Sequence, residues 1–221
     1  VEVRVIDAGV ARPIAGRARR EHGFTDLHVR RGTANAARES AMTRAEAEQA
    51  LSRGFMTAER TARQGFGLIA LGEMGIGNTA SAALIMHRLT DTPIAQCVGR
   101  GAGHDDAGLA HKLTVLERAA ARASTRDPVE VLAEFGGCEI AMMAGAVIGA
   151  AAARAAVVVD GFISTAAALA AVRIVPEARP YCFFAHKSEE QGHGRLLTAL
   201  AAETLLDLGM RLGEGTGALL A

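Results

Sequence analysis

Ala156-Val157-Val158-Val159-Asp160-Gly161-Phe162-Ile163-Ser164 is an unbroken apolar run that stops at an acidic residue and a glycine, then leads into a second apolar segment. A half-exposed strand alternates polar and apolar side chains, whereas a continuous run of branched ones suits a strand covered on both faces, as in a parallel sheet. The pattern recurs where residues 3–6 run into Asp7, residues 67–71 into Gly72-Glu73, and residues 181–184 into Ala185-His186. Helix-start signals lie between these runs. Thr43-Arg44-Ala45-Glu46 and Ser188-Glu189-Glu190-Gln191 both match the capping-box pattern, and Asn78 and Ser164 are placed to cap the helices after them. Alternating strand and helix predicts an α/β fold in a single domain over residues 1–221: a parallel sheet with helices on both faces, Rossmann-like and doubly wound.

Sheets of this kind take ligands beyond the carboxyl ends of their strands. Asp7, Glu73, Asp160 and His186 fall at such ends and are expected to converge on one crevice. Asp160 is placed either to accept hydrogen bonds from ribose hydroxyls or to cap the helix that follows. The stretch Leu71-Gly72-Glu73-Met74-Gly75-Ile76-Gly77-Asn78-Thr79 leaves a strand and opens a helix, where free N–H groups and the helix dipole favour an anion. Gly75 and Gly77 either admit a phosphate or planar ring to the backbone or serve tight strand-to-helix packing. The string is neither a P-loop nor a dinucleotide fingerprint. Because the first strand ends in Asp7-Ala8-Gly9, without the G-x-G-x-x-G turn, a nicotinamide-dependent oxidoreductase is disfavoured. A second cluster, Gly99-Arg100-Gly101-Ala102-Gly103, precedes His104-Asp105-Asp106 and Lys112. It reads either as a phosphate cradle with one ammonium or as a flexible connection with a surface lysine.

The 221 residues carry 24 basic and 24 acidic side chains, so no global field draws the chain to nucleic acid or to an anionic membrane. A small molecule or a second copy of the chain is the expected partner. The arginines between Arg12 and Arg38 have a single aromatic neighbour, Phe24, and read as a solvated loop or subunit contact rather than a nucleic-acid strip. Cys97, Cys138 and Cys182 show no C-x-x-C spacing, which argues against a disulfide framework and a zinc site and fits a cytoplasmic protein. Asp105 and Asp106 have no third ligand at helical spacing. His186 reads as a strand end beside the crevice and His193 as part of the next helix, so no metal is expected. The N-terminus has no signal-peptide pattern, and the longest uncharged apolar run, residues 140–153, is too short to span a bilayer and suits a close-packed buried helix.

Glu214 lies between glycines in Met210-Arg211-Leu212-Gly213-Glu214-Gly215-Thr216-Gly217. Locally this is either a turn pointing into water or a carboxylate that a ligand can approach closely and that can move a proton. The order of the strings changes the weight of each. Val5-Ile6-Asp7-Ala8-Gly9, Arg31-Gly32-Thr33-Ala34-Asn35, Gly72 to Thr79, Gly136-Gly137, Asp160 to Ser164 and Arg211 to Gly217 together resemble the nicotinate-nucleotide–dimethylbenzimidazole phosphoribosyltransferase family over nearly the whole chain.

That resemblance implies transfer of phosphoribose from nicotinate mononucleotide to 5,6-dimethylbenzimidazole, giving α-ribazole 5′-phosphate in cobalamin biosynthesis, by a homodimer without a metal or separate cofactor. It implies Glu214 as general base and Glu73 as a second catalytic carboxylate. Gly75, Gly77, Gly101, Lys112 and Ser188 would lie near phosphate and ribose and Asp160 near the sugar, with Met74, Ile76, Asn78, Gly161 and Leu212 completing the substrate-binding set. The family's N-terminal region, which contributes to the benzimidazole pocket, and its C-terminal helix are not part of this sequence, and Ala102 stands where the family has threonine. The alternative is a non-catalytic fragment that keeps the phosphate cradle without the azole pocket.

Overall fold

The computed structural model describes residues 1–101, 103 and 105–221; Ala102 and His104 of the expected phosphate loop lie outside the described residues. Two short strands, β1 (Val5–Asp7) and β2 (Phe24–Asp26), pair in parallel as a sheet of their own. There follow α1 (Arg44–Arg63), β3 (Leu68–Leu71), α2 (Asn78–Thr90), α3 (Ile94–Cys97), α4 (Asp106–Arg122), α5 (Pro128–Phe135) and α6 (Cys138–Ala152). The chain then runs through β4 (Ala156–Val159), α7 (Phe162–Ile174), β5 (Cys182–Ser188), α8 (His193–Ala199), β6 (Thr204–Met210) and α9 (Thr216–Leu220).

The last four strands form one parallel sheet in the order β3-β4-β5-β6. The parallel α/β architecture is therefore as expected, with two differences in its membership. The strand expected at residues 3–6 does not join this sheet, and its fourth member is β6. Within the described residues the order has no reversal, so the ligand-bearing end is identified from where loops converge rather than from a switch point.

The two faces of the sheet are covered unequally. Val157, Val159, Cys182 and Phe184 share one face by register and are buried in the main core with Ile140 of α6 and Leu169 of α7. On the other face Val158 and Ala185 meet Ala218 of α9, while Leu68, Phe183 and Leu205 are exposed. Helices thus lie on both faces, the second covered only over the short α9.

The best-marked helices form as expected. Thr43 and Glu46 close a reciprocal capping box at the start of α1, with the Thr43 N–H donating to Glu46 at 2.8 Å. Residues 140–153 form most of buried α6, which lies against α1 closely enough that a Cβ at Gly54, Gly145 or Gly149 would overlap a backbone carbonyl of the facing helix. Ser188 caps nothing, because β5 extends through it and α8 starts at His193 after Gly192. Gly77 precedes α2 in the left-handed conformation, so Asn78 is the first helical residue rather than the cap. Ser164 sits inside α7, where its hydroxyl donates to the Gly161 carbonyl at 3.1 Å. The arginine-rich stretch contains β2, and Arg30 turns inward to Glu46 at 3.1 Å. Among the described residues no helix is long and apolar enough to cross a membrane.

Candidate active site

Two strand-to-helix loops meet at the carboxyl end of the sheet. In the β3–α2 loop, Glu73 is half-buried and accepts from the Asn78 amide nitrogen, which also reaches Glu139 Oε1 at 3.3 Å. Burial pushes the Glu73 carboxyl up to about 7; the Asn78 hydrogen bond opposes this, and the charges of Glu139, Asp160 and Glu214 add to it. Glu139, in the first turn of α6, is also raised, chiefly by burial. Three carboxylates thus act on Glu73 across the gap.

In the β6–α9 loop, Glu214 is exposed and has φ of 62°, a left-handed conformation that costs a non-glycine residue about 1–2 kcal/mol. Its N–H donates to the Glu73 carbonyl at 3.2 Å, joining the two loops. The approach depends on Gly72, where a Cβ would overlap the backbone of Gly215. Thr216 closes the turn, its hydroxyl donating to the Gly213 carbonyl at 2.7 Å.

Asp160, at the end of β4, is buried and neither caps α7 nor faces open space. Its Oδ2 accepts the Gly215 N–H and its Oδ1 the Ala218 N–H, each at 3.0 Å. It therefore caps α9, more than fifty residues later in the chain. His186 lies beneath it with Nε2 3.6 Å from Asp160 Oδ1. His193 accepts from the Ser188 N–H at 2.9 Å through Nδ1 and sits 3.0 Å from the Thr165 hydroxyl through Nε2; burial holds it neutral, with its pKa lowered to about 3. Gly161 packs beside His186 and Ser188.

A cationic corner adjoins this group. Lys112 Nζ donates to Thr79 Oγ1 at 3.0 Å and to the Gly99 carbonyl at 2.9 Å; burial lowers its pKa and the charge of Glu190 opposes that. Gly101, at φ of 59°, packs against Thr79 and Lys112, and its carbonyl accepts from Arg211 at 3.5 Å. Among the described residues no side chain caps α2, so its N-terminus can face an anion. Met74, Ile76 and Leu212, on the same two loops as the glutamates, are exposed. Asp105 caps α4 by accepting the Gly108 N–H at 2.8 Å, and Asp106 pairs with Arg100. Among the described residues no group of three or more His, Cys, Asp or Glu is arranged to hold a metal.

The phosphoribosyltransferase family model matches residues 1–221. The chain belongs to the nicotinate-nucleotide–dimethylbenzimidazole phosphoribosyltransferase family. It is 55% identical over 220 residues to the enzyme so named from Ralstonia nicotianae, covering 99% of this chain and 62% of that one. With its namesake from Cupriavidus necator it shares 50% over 222 residues, covering 100% and 63%. A crystal structure of CobT from Thermus thermophilus superposes with a TM-score of 0.92 at 42% identity, covering 99% of this chain and 65% of that one. The chain thus spans somewhat under two thirds of the length of these relatives.

Of the residues expected from the family strings, Glu73, Asn78, Asp160 and Glu214 come together, with Gly75 beside Asn78 and Gly77 opening α2. Lys112 and Gly101 form the neighbouring corner. Asp7 is set apart on the separate strand pair, where its carboxylate closes its own turn by accepting the Gly9 and Val10 N–H groups at 3.0 and 2.9 Å. Sequence reasoning missed Glu139, Thr79 and Arg211. Glu139 carried a usable signal, a carboxylate directly after Gly136-Gly137-Cys138, similar in kind to the glycine flank of Glu214.

Proposed function

We propose that this chain carries the catalytic end of an enzyme that transfers phosphoribose from nicotinate mononucleotide to 5,6-dimethylbenzimidazole, giving α-ribazole 5′-phosphate and nicotinate. The observation that supports it most directly is the pairing of Glu214 with Glu73 through the loop-to-loop hydrogen bond, next to the Lys112 corner. One azole nitrogen attacks C1′ while the bond from C1′ to the pyridinium nitrogen breaks and returns its electron pair to the ring. Attack opposite the leaving group turns the β-glycoside into the α-glycoside. Glu214 takes the proton from the second azole nitrogen, so the product leaves neutral at the ring. Glu73, when ionised, stabilises the positive charge that builds at C1′. Lys112, Gly101 and the uncapped start of α2 hold the phosphate.

A cytoplasmic location and a homodimeric state go with this reading. Three buried free thiols suit the first and the open apolar sheet face suits the second. The test is nicotinate release on mixing the chain with nicotinate mononucleotide and dimethylbenzimidazole. Azole-dependent release is expected; tight nucleotide binding without release would favour a nucleotide-binding fragment, the reading that the chain's coverage of about 62% of a relative supports.

A further inference from the structure

We infer that Asp160 is a positioning residue for Glu214 and not a ligand of the sugar. The inference rests on the general-base reading of Glu214 given above.

Asp160 is 3% exposed, and its oxygens already accept the N–H of Gly215, next to Glu214, and of Ala218 in the first turn of α9. Those N–H groups open α9, which has no cap from its own side chains. A charged acceptor at that point ties the helix start to the end of β4. Glu214 sits immediately before Gly215 in a conformation that a non-glycine residue leaves when it is not held. Its tethers are its own N–H on Glu73, the Gly215 N–H on Asp160 and the closure by Thr216. Only the Asp160 tether reaches across from another strand through a buried charge.

His186 completes the mount. It is fully buried, its ring nitrogens have no hydrogen-bond partner among the described residues, and a Cβ at Gly217 would overlap both its ring and Asp160. The ring therefore fills the space under Asp160 and limits how far the carboxylate can turn. Each oxygen keeps a second lone pair, but the carboxylate is closed to solvent, so a ribose hydroxyl would reach it only if the Glu214 turn opened.

Asp160→Asn keeps the volume and removes the charge and one acceptor. Turnover measured as nicotinate release is expected to fall 10- to 100-fold with KM and Kd for nicotinate mononucleotide changed less than twofold. Amide exchange at Gly215 and Ala218 is expected to quicken at least tenfold while that of α7 stays unchanged. A tenfold weaker Kd for the nucleotide with unchanged exchange at Gly215 and Ala218 would make Asp160 a sugar ligand and overturn the proposal. Unchanged kcat with quickened exchange would also overturn it. If Glu214→Gln keeps its turnover, the general-base reading fails by itself, and the exchange data still decide whether Asp160 holds the turn.

Discussion

The β3–α2 and β6–α9 loops look alike in sequence, each with a glutamate among glycines and a left-handed glycine before a helix, yet they are built for different work. In the first, Glu73 is half-buried beside Glu139 and Asn78, and the helix start is left uncapped. In the second, Glu214 is exposed and the helix start is plugged by Asp160. The uncapped start leaves N–H groups for a ligand, and the plugged one spends them on holding a turn. Similar strings thus divide into a loop with an open helix start and a loop with a closed one; on the proposed function the first receives the anion and the second presents the base.

Substitutions at the two glutamates should separate these roles most sharply. Glu214→Gln is expected to lower nicotinate release by about 10²- to 10⁴-fold with nucleotide binding nearly unchanged, whereas Glu73→Gln should cost roughly tenfold in the same assay. Equal losses would erase the distinction. Gly72→Ala tests the contact between the loops: the added Cβ overlaps the Gly215 backbone, so turnover should fall with a stability loss of about 1–3 kcal/mol in chemical denaturation. Lys112→Met should raise KM for nicotinate mononucleotide about tenfold and leave kcat close to that of the parent, reading the anion-receiving side alone.

The last effect concerns pH. Folded Glu73 keeps its proton up to about 7, while its ordinary value is 4.5. Between these values the folded protein binds more protons than the unfolded chain, so this group's contribution to stability declines as pH rises and its full cost is present above 7. Glu73→Gln should therefore match the parent in acid and exceed it in stability above neutrality, by up to about 3 kcal/mol, in denaturation curves taken across that range. A pH-independent difference would place Glu73 outside the buried carboxylate group.

Much of this arrangement was legible in the sequence, where the signal was local. The apolar run into Asp160 marks β4, the Thr43 and Glu46 pair marks the start of α1, and the small-residue run marks α6. What was missed depends on partners distant in sequence. β6 mixes exposed Leu205, Asp207 and Leu208 with Gly209 because it is an edge strand with one open face, so it lacks the continuous pattern of β4. The Ser188 capping box failed because pairing with β6 extends β5 through that residue. Asp160 was expected to cap α7 or to meet the sugar; it does not cap α7, and its backbone donors come from Gly215 and Ala218. Glu139 gains its meaning only from Asn78 on another helix.

On the proposed function, the backbone at Glu214 sets stability against chemistry at a single position. Glycine would occupy that left-handed turn without strain, so Glu214→Gly should make the protein more robust to heat while abolishing proton transfer. The strain of that turn is then the structural cost of holding a carboxylate at this point of the rim.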